Sequence, residues 1–326
     1  MKILFICSQN NPDFEVSPFV KSQADSLTAK GYEVDIFVVK IKKLKGVYSN
    51  IRKIKTITKN YDIVHAHYGT NGMIALLAGC RKKLIVSFLG SDLLGIKNRK
   101  NRQTFYGIVV KLISKIVIIK ATNIIVKTKQ LFDCIPNKYH KKSNIIPNGV
   151  DFEMFKPMEC SLAIEKLGLK NKKYLLFTGK QTDENKNFSL LQNAINIIND
   201  ENIEILATYP TEHKKMPLYM NASSCLVITS FTEGSSNVVK EALACNLPVV
   251  SVPAGDIAEN INQIENCYIT SYNPQDVALK IQNVLNTNKK TESRHKSQRF
   301  NIEIIADKII EIYQNTLNSS LTCNSG

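Results

Sequence analysis

Five short apolar runs, KILFIC, EVDIFVV, DIVHAH, KLIVSFL and TNIIVKT, recur between residues 2 and 128, and a segment long enough for a helix separates each from the next. Runs that are apolar on both faces suit strands buried inside a parallel sheet, and parallel neighbours need a crossover of a dozen or more residues. The pattern confines the chain to an α/β fold built from βαβ units, a doubly wound sheet with helices on both faces. One crossover reads clearly. In SPFVKSQADSLTAKG, Pro18 suits the first helical turn, Phe19, Ala24 and Leu27 supply the apolar positions, and Gly31 ends the helix.

After NIIPNGVDFEMFKP the pattern restarts. Asn148-Gly149 marks a tight turn, and Pro147 and Pro157 punctuate irregular chain, which predicts a first domain over residues 1–157 and a second over 158–300. A chain of 326 residues, 44% of them hydrophobic, has the length and apolar content for two such cores. The second series reads strand KYLLFTG, helix NFSLLQNAINIIN, strand IEILAT, short helix PLYMNAS, strand CLVITS, helix 236–245 and strand PVVSV. The link from Ile203 to Met216 is short, as though one βα unit were missing. Residues 301–326 are expected to form a terminal helix packing back toward the first domain, followed by a frayed polar tail.

Eight cysteines are scattered without a C-x-x-C pair, mostly within apolar runs, and read as buried thiols of a reducing compartment rather than disulfides or a zinc site. The opening MKILFICSQNN is too short in its apolar core for a secretory signal. The stretch GIVVKLISKIVIIKATNIIV is interrupted by Lys111, Lys115 and Lys120, so it supplies no membrane span. A soluble, cytoplasmic protein is expected. Residues 1–150 hold 26 Lys and Arg against 8 Asp and Glu, while the remainder holds 17 against 20. Segments such as KIKKLKGVYSNIRKIKTITK suit a nucleic acid, an anionic membrane surface, or simply a solvated lysine-rich face.

In open parallel sheets, ligands bind beyond the carboxyl ends of the strands. FTEGSSNVVKEALAC, residues 231–245, lies in such a place: CLVITS ends at Ser230, Glu233 sits on the loop, and a helix begins near Ser236, a candidate N-cap. Backbone N–H groups of Asn237 and Val238 would face the loop, where the helix dipole favours a phosphate by about 0.3–1 kcal/mol. Glu241 shares a helix face with Val238 and Cys245. Carboxylates beside a phosphate site suit hydroxyl partners, since they accept hydrogen bonds from the vicinal diol of a ribose or a sugar. The same spacing also suits an ordinary loop acid and an ordinary helical glutamate.

The stretch MPLYMNASSCLVITSFTEGSSNVVKEALACNLPVVSVPAGDIAENI resembles the C-terminal signature of glycosyltransferase family 4, whose E-x7-E motif occupies this strand-loop-helix position. EGSSNVVKEALACNLPVVS is similar to the subset reading EGSPNVVKEAMACNLPVVS, with Ser236 in place of its proline. YDIVHAHYG, FLGSDLLG and IIPNGVDFEMFKP follow in the family's order and spacing, and FTGKQTDENKNF matches its phosphate-binding segment more loosely, so the resemblance covers nearly the whole chain.

The resemblance implies a GT-B architecture, two Rossmann-like doubly wound domains facing across a cleft, and sugar transfer with retention and without a metal or other cofactor. By position, Glu233 would meet the transferred sugar's hydroxyls and Glu241 the ribose diol. The backbone of Gly234, Ser235, Ser236, Asn237 and Val238 would hold the diphosphate, with Gly179 on the same donor side. Lys186 matches the family lysine and Lys180 stands where arginine is usual; both would neutralise the leaving group, though lysine lacks the bidentate fork. On the acceptor side the resemblance points to Gly90, Asp92 and Asn10. Two departures stand out: no glycine precedes Gly31, and Leu89 replaces the histidine that many relatives carry before G-x-D. Either Asp92, Gly90 and the loop backbone suffice, or His67, ending DIVHAH, takes up that contact.

The resemblance implies a nucleotide sugar as partner; the charge excess of the first half suggests a lipid-linked or anionic saccharide acceptor at the cytoplasmic face of a membrane, and no nucleic acid is expected. Rival readings are a GT-B nucleotide-sugar epimerase, a nicotinamide-dependent dehydrogenase, which the missing G-x-G-x-x-G disfavours, and a non-enzymatic basic binding module.

Overall fold

The computed structural model describes residues 1–9, 15–40, 44–81, 83–96, 102–287 and 289–322. The five apolar runs of the first half become strands β1 (Lys2–Ser8), β2 (Glu33–Val39), β3 (Ile63–His67), β4 (Leu84–Phe88) and β5 (Asn123–Val126), with a sixth, β6 (Ser143–Ile145), that the sequence reading did not mark. All pair in parallel, in the order β2-β1-β3-β4-β5-β6. The inner strands β3 and β4 are buried at every residue. β2 is only partly buried because it is an edge strand, and its Glu33 and Asp35 meet Lys2 at 2.5 and 3.8 Å.

The second half contributes β7 (Lys173–Phe177), β8 (Ile203–Ala207), β9 (Ser223–Ile228), β10 (Val249–Ser251) and β11 (Tyr268–Ile269), a parallel sheet ordered β11-β10-β9-β7-β8. Counted within its own unit, each sheet follows the order 2-1-3-4-5, and the first adds one strand. In such a sheet the chain reverses its winding between the first and third strands, and the crevice above that point is where ligands bind. For the second sheet the switch lies between β7 and β9. β8 stands at the edge, and only residues 208–212 and the turn His213–Lys215 separate it from the Met216–Ala222 helix, the short link seen in the sequence.

The chain divides into two compact units, Met1–Gly149 with Ile302–Gly326, and Val150–Asn301. The first division falls before the irregular stretch, eight residues ahead of the position that Pro157 suggests. The reason is packing: Phe152 and Phe155 are 3% and 1% exposed within the second core, and the Arg294 guanidinium donates to their carbonyls at 2.8 and 2.6 Å. The terminal helix Ile302–Thr322 belongs to the first unit, where Ile305, Ala306, Ile309 and Tyr313 join the core formed with β1 and the Pro18–Ala29 helix. Among the described residues no helix is long and apolar enough to cross a membrane. The seven described cysteines are free; four are buried and Cys134 is exposed.

Candidate active site

The loops after β7 and β9 meet above the switch point of the second sheet. Gly179 follows β7 with φ +114°, and a side chain there would come within 3.1 Å of the Lys186 stem, so glycine lets the lysine lie against the loop. Lys186 closes a short turn, Glu184–Lys186, that is tied to the β9 loop. The Asn185 carboxamide donates to the Thr232 carbonyl (2.9 Å) and accepts from the Thr232 hydroxyl (2.7 Å), while the Phe231 N–H donates to the Asn185 carbonyl (2.9 Å). These bonds set Lys186 Nζ 2.7 Å from Glu233 Oε1, with the two side chains 27% and 16% exposed. The pair is held in place yet open to a ligand. Lys180 lies elsewhere: it is exposed, and its carbonyl accepts from the Asp183 N–H at 2.9 Å. The ion pair of this rim therefore joins Glu233 to Lys186 and not to Lys180.

Glu241 projects from the Asn237–Ala244 helix and is 8% exposed. Its Oε1 accepts from His213 Nε2 at 2.8 Å, and the His213 ring packs against Phe155 with centroids 5.3 Å apart. Burial opposes charge on His213, but the hydrogen bond and charge of Glu241, with Asp151 beyond, outweigh it and raise the imidazole above its usual range. No sequence pattern points to His213, because the contact joins residues 28 positions apart.

Beneath the glycine-serine turn lies a buried network. Lys240, fully buried, donates to Ser235 Oγ at 2.5 Å, and Ser235 Oγ donates to Asp256 Oδ2 at 2.8 Å. Burial pushes the Lys240 ammonium down to about 8 against the pull of Asp256 and Glu241, and the ring of Phe300 lies 5.4 Å from it. Ser236 occupies the N-cap position, but its side chain makes no capping bond. Its N–H points instead to Asp256 Oδ1 at 3.4 Å, so an acid distant in sequence attends this turn. Gly255, with φ +60°, allows close approach: a Cβ there would lie 2.3 Å from the Gly234 carbonyl oxygen. Gly234, Ser235, Ser236, Asn237 and Val238 thus form a turn braced from below. Lys240, a lone charge in the otherwise apolar face of NVVKEALA, was the available sequence signal for this brace; Asp256 and Gly255 carried none.

The first unit places its predicted residues differently. Asp92 is fully buried, and its carboxylate accepts from the N–H groups of Gly90 (2.9 Å), Leu89 (3.1 Å) and Gly69 (3.1 Å). It holds the loop after β4 to the helix after β3, and burial pushes its carboxyl up to about 6 despite those donors. Gly90 adopts φ +146°, which admits the tight turn before Asp92. His67 is 2% exposed, stacks on His65 at 4.5 Å, and among the described residues neither of its ring nitrogens has a hydrogen-bond partner. Burial and the charge of Lys127 push its imidazole down to about 3. His65 is bound on both sides, to the Tyr313 hydroxyl (2.6 Å) and Ser87 Oγ (2.8 Å). Asn10 lies outside the described residues. No group of three or more His, Cys, Asp or Glu side chains is gathered as a metal site among the described residues.

Two Rossmann-like domains, the second carrying a braced helix N-terminus with an acid on either side of it, define a GT-B protein. Residues 34–154 match the model described as Glycosyltransferase Family 4, and residues 172–287 match that described as Glycosyl transferases group 1. The chain belongs to this glycosyltransferase family. An uncharacterized glycosyltransferase of Methanocaldococcus jannaschii is 24% identical over 272 residues, 76% of this chain and 73% of that protein. Among solved structures, sucrose-phosphate synthase from Thermosynechococcus elongatus superposes with TM-score 0.80 at 16% identity, covering 98% of this chain and 99% of that one. HepE of Anabaena, solved in complex with UDP, superposes at 0.74 and 16% identity, covering 97% and 100%.

Proposed function

We propose that this glycosyltransferase moves a hexose or N-acetylhexosamine, with retention, from a nucleoside diphosphate sugar to a hydroxyl of a lipid-linked or anionic saccharide acceptor, in surface polysaccharide assembly at the cytoplasmic face of a membrane. The observation that carries the donor half is the Lys186–Glu233 pair, 2.7 Å apart, above the β7/β9 switch point. A lysine there suits the diphosphate leaving group, and the acid beside it suits sugar hydroxyls. Glu241, beyond the Gly234–Val238 turn, suits the ribose diol. That HepE was solved with UDP supports a nucleotide in this kind of fold. The charge excess of residues 1–150 supports an anionic acceptor surface.

In the proposed reaction, the bond from the anomeric carbon to the diphosphate oxygen breaks while a bond to the acceptor oxygen forms on the same face, and the acceptor proton passes to the departing diphosphate. Lys186 and the turn's N–H groups stabilise the charge that develops on that leaving group; the scheme uses no metal or other cofactor. A thermal-shift panel of nucleotide sugars tests the donor: a true donor at a hundred times its dissociation constant stabilises by about 2.7 kcal/mol. Absence of any response would overturn the reading, and conversion of a donor without an acceptor would replace transfer by epimerisation.

A further inference from the structure

The Phe105–Lys120 helix of the first unit is apolar on both sides. Gly107, Val110, Ser114, Val117 and Ile118 are buried, with Gly107 against the Ile96 backbone and Val117 against Gly72. The opposite side carries Phe105 at 82% exposure, with Ile108, Leu112, Ile116 and Ile119 between 46% and 54%. Their spacings of three and four residues set all five on one outward stripe. Lys111 and Lys115 border that stripe on one flank and Lys120 on the other, and the helix contains no acidic residue. Beyond its end, Lys142 donates to the carbonyls of Ile119 and Ala121, and Lys138 and Lys141 lie exposed in the same turn.

An outward apolar stripe of this length is not what a surface helix of a monomer keeps in water. We infer that it is the face by which the protein lies on an anionic bilayer, the five apolar side chains entering the headgroup–acyl boundary and the flanking lysines meeting anionic lipid headgroups. The charge pattern selects this occupant. A second copy pairing through the same stripe would bring lysine flanks against lysine flanks with no acid on the helix to answer them, whereas an anionic surface answers every one. The inference deepens the reading of a membrane-borne acceptor, on which it rests, by naming the surface and the lipid class.

The chain contains no tryptophan, so L112W places a single reporter on the stripe. With vesicles of equal phosphatidylglycerol and phosphatidylcholine at physiological salt, free of any acceptor, the emission should shift to shorter wavelength and be quenched by brominated lipid. Replacing Lys111, Lys115 and Lys120 by glutamine in that background should weaken binding by about fivefold for each lysine removed. L112E with I116E should abolish binding while leaving the thermal response to nucleotide sugars unchanged. Emission that vesicles do not move would overturn the inference. So would emission already blue-shifted without vesicles in a protein that light scattering finds dimeric, because a second copy would then cover the stripe. Should L112W fail to fold, I116W, one turn on, gives the same reading. Because the vesicles carry no acceptor, failure here leaves the donor reading standing, and a silent nucleotide-sugar panel leaves the lipid result standing.

Discussion

The two units share a strand order but use the rim of the sheet in opposite ways. In the second, ionic groups at the β7/β9 crevice pair near the surface: Lys186 with Glu233, and His213 with Glu241, each pair less than a third exposed. In the first, the polar groups in β3 and after β4 are turned inward: His65, His67 and Asp92 are at most 2% exposed, Asp92 tying the loops together and His65 meeting Tyr313 of the terminal helix. The difference teaches that a motif at a strand end is not by itself a ligand group. What decides is whether the backbone around it already has its hydrogen bonds. The second unit braces its turn from beneath with Lys240, Ser235 and Asp256; Glu233 stays part-exposed beside Lys186, while Glu241 is held against His213 at 8% exposure.

The contrast is sharpest under substitution. Lys186→Ala should lower turnover on a working substrate by about a hundredfold or more, as removal of leaving-group stabilisation does, with a much smaller change in donor affinity. Steady-state kinetics with donor titration would show it, and unchanged turnover would move the working rim elsewhere. Asp92→Ala should act on stability instead. Leaving the N–H groups of Gly69, Leu89 and Gly90 without their acceptor should cost about 1–3 kcal/mol in denaturant unfolding, while the response of the second unit to nucleotide sugars persists.

His213 gives a smaller effect with a definite sign. Its pKa is raised in the folded protein, so the stability it contributes is complete below the unfolded value of about 6.5 and is lost as pH rises through the raised value. Melting temperature measured across that window should fall with rising pH in the wild type and flatten in His213→Asn. The smallest effect belongs to His67. With neither ring nitrogen partnered among the described residues, His67→Leu should leave the melting temperature unchanged or raise it, whereas His65→Leu, which strands the Tyr313 and Ser87 hydroxyls, should lower it.

Much of this was legible in the chain itself. The strands, a restart placed after residue 157 and the loop FTEGSSNVVKEALAC follow from apolar runs and turn residues, because burial on both faces and tight reversal are demands that nearby residues must meet; that the division falls at residue 149 was decided by packing. Lys186 came into view through the family resemblance of FTGKQTDENKNF, and its pairing with Glu233 across 47 positions was not legible at all. Ser236 read as a side-chain cap, yet its side chain makes no capping bond, and Asp256, twenty residues further along, accepts from its N–H. Asp92 read as an acceptor-side residue; that its carboxylate is buried and accepts from Gly69, Leu89 and Gly90 was not legible, since only the sheet brings those donors together.

The sequence alone thus determined the class: parallel α/β architecture in two units, a helix N-terminus flanked by two acids, and a basic first half. Local periodicity and composition suffice for these because each is a property of contiguous chain. Which polar groups stay at the rim and which are turned inward, which lysine meets Glu233, and that the Phe105–Lys120 helix keeps an apolar face outward were decided only by tertiary packing. Burial and hydrogen-bond satisfaction depend on neighbours that lie far away along the chain.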